Sequence, residues 1–212
     1  MTGEPLKLVP LAAIFSKDRL RPALGDKFKL ASALATSIAE FHKVEWLHKN
    51  ISSANVIFFP PPGSSPEKHI TRPYIIGFNH SRPTLGITDG SFDRRYQDHQ
   101  HPEYLRNQLQ YTYKFDYYSF GVVLLEIGYW EPLQDITRGW NYSSEEFRDR
   151  LLTNRVPRLK AIMGDVYFNV VDVCLRSAFI VGGESRDGVD SAMLWHLKYD
   201  ELVVAQLAKC SA

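Results

Sequence analysis

Cysteine is nearly missing: only Cys174 and Cys210 occur in 212 residues. They have neither the close spacing of a metal-binding pair nor the density of a secreted disulfide scaffold, which points to a reducing, cytoplasmic setting. Long apolar runs are missing as well. The most apolar stretch, Gly121 to Trp130, is interrupted by Glu126 and falls far short of the ~20 residues that span a bilayer. A secretory leader is not indicated, because Lys7 and Pro10 break the apolar stretch Leu6 to Phe15 and no small-residue cleavage site follows. Neither sign of charge is in excess: 25 Lys plus Arg stand against 24 Asp plus Glu, a net charge of +1. That balance excludes a generic electrostatic grip on nucleic acid or acidic membrane. No internal repeat is evident. Apolar residues at 44% and charged residues at 23% are ordinary for a globular protein, and one domain over residues 1–212 is expected.

Along the chain, Leu30, Leu34, Ile38 and Phe41 recur at helical spacing behind Asp26, a candidate N-cap, and predict a long amphipathic helix over about 26–43. Val56 to Phe59 and Tyr74 to Ile76 read as two short strands joined by a long tip, Pro60 to Pro66, whose three consecutive prolines favour an extended linker over a peptide-docking site. Residues 83–100 are polar, with Gly86, Gly90 and the Asp93-Arg94-Arg95 cluster, and read as a solvated loop; His99 and His101 have no evident carboxylate or thiolate partner and read as surface residues rather than a metal pair. The run Phe120 to Leu125 has no polar face and suits a buried helix led by Asp116 as its cap, with a buried strand as the competing reading. Ser143 and Glu146 form a capping-box pattern. Val166, Val170 and Val173 mark a helix ending near Arg176, Gly182 to Ser185 a loop, and Leu194, Leu197, Leu202 and Leu207 a last helix from about Asp190.

One stretch organises these elements. His48-Lys49-Asn50-Ile51-Ser52-Ser53-Ala54-Asn55 resembles the protein-kinase catalytic loop, H-R-D-L-x-x-x-N, with Asn50 at the position of the base. Gly77-Phe78-Asn79 stands where D-F-G would be, His101-Pro102-Glu103 resembles A-P-E, and Asp116 to Gly121 resembles the D-x-x-S-F-G start of the central kinase helix. In this order the four motifs resemble the C-terminal lobe of a protein kinase over about residues 6–207. The resemblance is closest to divergent kinase-like regions of fungal proteins, some joined to incompatibility or cell-death modules. It implies a mainly α fold (α+β class) with one short β-hairpin, a hinge-like start over 1–25 and an activation-segment-like loop over 77–103. It also implies that Glu103 pairs with an arginine from a later helix, with Arg176 and Arg186 as candidates.

The departures decide what the resemblance implies for function. No G-x-G-x-x-G segment and no V-A-I-K lysine occurs, so the N-terminal lobe is expected to be absent. Within the lobe Asn50 replaces the base, Ser52 the phosphate-neighbouring lysine and Gly77 the metal-binding aspartate, while His48, Asn55 and Phe78 remain. An amide accepts no proton near neutral pH, and losing a positioned base removes ~10²–10⁴ in rate. The expectation is a catalytically inactive pseudokinase with no cofactor, no metal and no catalytic residue, in which His48 and Asn55 brace the loop. Such a module would act in protein interaction or regulation, without nucleic acid or membrane as partner. It would also be open to homo-association through apolar surface near Leu8, Leu11 and residues 46–59. The alternative is an atypical ATP-dependent protein phosphotransferase whose N-terminal lobe lies outside this chain.

Overall fold

The computed structural model describes residues 8–15, 21–84, 94–107, 110–179 and 188–211. Expectations that fall on Leu6, Lys7, Gly86, Gly90, Asp93, Gly182 to Ser185 and Arg186 lie outside those residues. In chain order the elements are β1 Val9–Pro10, α1 Leu11–Ile14, α2 Leu24–Lys43, β2 Trp46–Leu47, β3 Val56–Phe58, β4 Tyr74–Ile75 and β5 Arg82–Pro83. There follow α3 Pro102–Asn107, α4 Tyr113–Tyr129, α5 Leu133–Ile136, α6 Ser144–Arg150, α7 Leu159–Arg176, α8 Gly188–Tyr199 and α9 Ala205–Leu207. The fold is mainly helical with small sheets.

The expected hairpin is present: β3 and β4 pair antiparallel, with Val56 opposite Ile75 and Ile57 opposite Tyr74. It is not the only pairing, which corrects the expectation of one hairpin. β1 adds to the other edge of β3, giving the order β1-β3-β4, and β2 pairs with β5 through Leu47 and Arg82. Both extra pairings join two-residue segments, too short for a period-two pattern to show, and Pro10 sits on an edge where its missing N–H costs no ladder bond. The proline-rich tip folds back on itself. A 3₁₀ turn at Pro66–His69 places Ile70 in the core, and Ser64 Oγ lies 2.7 Å from His69 Nε2.

The helix expected from residue 26 begins at Leu24, with Ala23 as N-cap and Asp26 in its first turn. Its buried stripe runs Leu30, Leu34, Ile38 and then His42, while Phe41 turns to a cleft. The buried Lys27 on the same helix donates to the Gly128 carbonyl at 3.1 Å, near the C-terminal end of α4 where carbonyls lack helical partners. Burial, with Arg21 nearby, lowers its pKa to about 8.

The run at 120–125 is helical, not a strand. Every residue of α4 from Tyr113 to Gly128 except Lys114 is buried. A helix satisfies its own backbone, so it can be surrounded on all sides without sheet partners. Each fully buried Val, Leu or Phe there contributes ~1.5–3 kcal/mol relative to an exposed one. Close approach to α7 requires glycine at 121, because a Cβ there would stand 2.7 Å from Cys174 Cβ. Tyr167 on α7 donates to the Leu124 carbonyl at 2.7 Å, and Tyr117 stacks on Tyr199 with ring centroids 4.1 Å apart. The Ser143–Glu146 capping box is formed in both directions. The helix expected to end near Arg176 does so, and the last helix begins at Gly188, with Leu207 buried but Leu197 exposed.

Candidate functional site

The loop from His48 to Asn55 leaves β2, enters β3 and lies on the N-terminal part of α4. Its anchor is Asp116, which is fully buried. Thr112 is the N-cap of α4, so Asp116 is not the cap the sequence suggested; it lies inside the first turns and points at the loop. Its Oδ2 accepts from the His48 backbone N–H at 2.7 Å and its Oδ1 from that of Lys49 at 2.9 Å. Tyr111 donates its hydroxyl to Oδ1 at 3.0 Å, and His42 Nε2 lies 3.0 Å from Oδ2. Burial alone would push this carboxyl up. The hydrogen bond and charge of His42, together with His48, outweigh burial and hold it below its ordinary value, so Asp116 is ionised at neutral pH. Lys49 takes a left-handed conformation, φ 65°, which lets two successive N–H groups converge on one carboxylate. Its carbonyl accepts from Gln100 Nε2 at 3.2 Å.

The remaining loop residues brace one another. His48 is buried, and burial lowers its pKa against the pull of Asp116, so its ring is neutral. Its Nδ1 accepts from the Asn50 N–H at 3.2 Å, which assigns the proton to Nε2. The Ile76 carbonyl favours the protonated ring but makes no hydrogen bond of good geometry to Nε2. Asn55 Nδ2 donates to the Asn50 carbonyl at 2.7 Å, and the Asn55 carbonyl accepts from the Ile76 N–H at 2.9 Å. Ser52 is buried, and its carbonyl closes the turn with the Asn55 N–H at 3.0 Å. Gly77 has φ 91°, and a Cβ built on it would lie 2.7 Å from Asn55 Cγ and Nδ2. Phe78 is half exposed, its ring 4.9 Å from His48 and 5.5 Å from Phe41. The expected residues His48, Asn50, Ser52, Asn55, Gly77 and Phe78 are thus brought together, as one packed constellation. Beside it Phe41, His48, Ile51, Tyr74, Ile75 and Phe78 line an apolar cleft of about 250 Å³.

Several side chains depart from expectation. His99 and His101 are buried, not on the surface. His99 Nε2 lies 3.2 Å from Glu126 Oε2, and the other oxygen of Glu126 accepts from the Leu133 N–H at 2.9 Å. This accounts for the charge that interrupts the apolar run: it orders the turn into α5 from inside the core. His101 Nδ1 accepts from the Glu103 N–H at 3.1 Å, and its ring packs on Phe115 and Tyr118. Burial, with Lys114 and Arg148 nearby, lowers its pKa to about 3. Glu103 pairs with Lys114, whereas Arg176 pairs with Asp172 on its own helix at 2.8 Å. Leu11 is buried and offers no surface, while Leu8, Trp46, Phe59 and Tyr74 are exposed. Sequence reasoning missed His42 and Tyr111 altogether. His42 continues the Leu34–Ile38 stripe at spacing four, and a histidine on a buried stripe is a legible signal for a polar partner.

Residues 4–208 match the profile of a family described as a domain of unknown function, DUF7580. The chain belongs to the DUF7580 family. No curated protein matches it at a significant level. The matched span of this DUF7580 chain contains both the 48–55 loop and the helix that anchors it. Among its described residues no helix is long and apolar enough to cross a membrane, and no group of three or more His, Cys, Asp or Glu side chains is arranged to hold a metal ion.

Proposed function

We propose that this DUF7580 chain is a protein-kinase-like C-terminal lobe that does not catalyse phosphotransfer and works as a protein-interaction or regulatory module. The observation that carries the reading is the use to which the loop's polar groups are put. Two of its N–H groups are consumed by Asp116, a third by His48, and the amide of Asn55 by the Asn50 carbonyl. The contact between His48-Lys49 and Asp116 also joins two of the motifs on which the kinase resemblance rests, which supports that resemblance beyond their order in sequence.

The magnesium–nucleotide group that the resemblance implies does not fit the residues present. Mg²⁺ is held by oxygen ligands, usually including one or two carboxylates. The position that would supply one is Gly77, and the space its side chain would need is filled by the Asn55 amide. The base position, Asn50, carries no proton-accepting group. No catalytic step follows from this arrangement.

The test is incubation of the purified protein with ATP, Mg²⁺ and a mixed protein substrate, alongside a melting curve with and without nucleotide. Neither phosphotransfer nor a nucleotide-dependent rise in melting temperature is expected. Turnover that Asn55→Ala abolishes would overturn the reading.

A further inference from the structure

Among the described residues, another concavity lies on the proline-rich tip. It measures about 460 Å³ and is lined by Phe59, Pro61, Lys68, His69, Arg72 and Tyr74, with Thr71. Three features set its chemistry. Lys68 and Arg72 are exposed, and neither has a carboxylate within ion-pair distance among the described residues. The acid of this tip, Glu67, is buried, accepts from Ser65 and forms no ion pair with either cation. Phe59 and Tyr74 form an edge-to-face pair, centroids 5.3 Å apart, with both rings exposed.

Tyr74 lines this groove and also the apolar cleft beside Phe78. The two concavities therefore share a wall and form one surface with a basic end and an apolar end. Tyr74 is also on β4, at an edge of the β1-β3-β4 sheet, where an extended segment can lie alongside. The cleft, at about 250 Å³, is smaller than the ~300–1,000 Å³ of a drug-sized ligand site and suits an inserted side chain.

We infer that this surface binds an extended, acidic segment of a partner protein, placing an aromatic or aliphatic side chain in the cleft past Tyr74 and carboxylates against Lys68 and Arg72. Complementarity of charge selects the acid, and the exposed aromatic pair selects the apolar anchor. A polynucleotide is disfavoured because two cations on a chain of net charge +1 neutralise too few phosphates for a firm grip. The inference names a partner chemistry for the interaction module proposed above; only the purpose of the surface rests on that proposal.

The experiment uses the full chain and an array of synthetic peptides varied in net charge and in the presence of a central Phe or Leu. Binders should be enriched in Asp and Glu around the apolar residue. For the best of them, measured by fluorescence anisotropy, Lys68→Glu with Arg72→Glu should weaken binding by about tenfold or more, and the wild-type affinity should fall with added salt. Tyr74→Ala should weaken it as well, with the salt dependence retained. Both cations and Tyr74 are exposed, so the variants should melt as the wild type does. Enrichment of basic or uncharged peptides, an affinity unchanged by the double charge reversal, or stronger competition by a DNA oligonucleotide or phosphatidylserine vesicles than by the peptide would overturn the inference. Such a failure leaves the absence of phosphotransfer standing, and turnover with ATP would sink that reading without touching the groove.

Discussion

Asp116→Asn removes the charge that holds the 48–55 loop while keeping the size of the side chain. The carboxylate accepts from two backbone N–H groups, one hydroxyl and one imidazole, all buried. An amide keeps one acceptor oxygen but turns an NH₂ toward donors, leaving at least two of the four without a partner. Hydrogen bonds to a charged group contribute ~1.5–3 kcal/mol each, and breaking a buried charged pair costs ~3–5 kcal/mol, so a loss of about 3–4 kcal/mol is expected. For a chain of this length that corresponds to a fall in melting temperature of about 6–16 °C. The removal of Tyr111's donor alone, in Tyr111→Phe, should cost about 1.5–3 kcal/mol, the range for one hydrogen bond to a charged group, and fixes the scale. Calorimetry or denaturant titration reads the stability. Amide hydrogen exchange reads the mechanism, since the His48 and Lys49 amides should lose roughly a hundredfold or more of their protection. A melting temperature within about 2 °C of wild type, or unchanged protection at those two amides, would refute the reasoning.

The remaining predictions concern packing and pH. Gly121→Ala puts a methyl group 2.7 Å from Cys174 Cβ, and overpacking of ~1–3 kcal/mol should outweigh the ~1 kcal/mol gained in helix propensity, lowering the melting temperature by a few degrees. Cys174→Ala should not rescue it, because the atom in the way is Cβ and not the sulfur; full rescue would show that the helices approach differently. His101 has its pKa lowered in the folded protein to about 3 from an ordinary 6.5, so the unfolded chain binds more protons and stability is lost as pH falls below about 6.5. His101→Asn, which keeps an acceptor for the Glu103 N–H, should reduce the stability lost between pH 7 and pH 4.5 by on the order of 2–3 kcal/mol in denaturant titrations. An unaltered pH slope would show that the ring is protonated or solvated in the native state.

Much of the fold was legible because it is carried by local pattern. The stripe of α2, the capping box at Ser143, the helix ending at Arg176 and the β3–β4 pairing each follow from side chains within one element or two adjacent ones. What failed were statements about partners. His99 and His101 read as polar residues of a polar loop, and no local feature tells that Glu126, Phe115 and Tyr118 of α4 come to meet them. Asp116 read as a helix cap because caps are local, whereas its ligands are on a loop 67 and 68 residues earlier. The resemblance implied an arginine partner for Glu103, whereas Glu103 pairs with Lys114 and the candidate Arg176 with Asp172, the other candidate, Arg186, lying outside the described residues.

The sequence by itself determined where the long helices and the β3 and β4 strands lie, that the loop at His48 has an amide where a carboxylate would act, and that position 77 has no side chain. Those are properties of residue type and spacing, and no folding is needed to read them. Only the tertiary structure decided what the departures mean. It brought the Asn55 amide against Gly77, set Asp116 beneath the loop as a buried acceptor, and closed His42 and His99 onto carboxylates in the core. A buried charge or donor must find a partner wherever the chain can supply one, and the choice among distant partners is made by packing geometry, which local sequence does not encode.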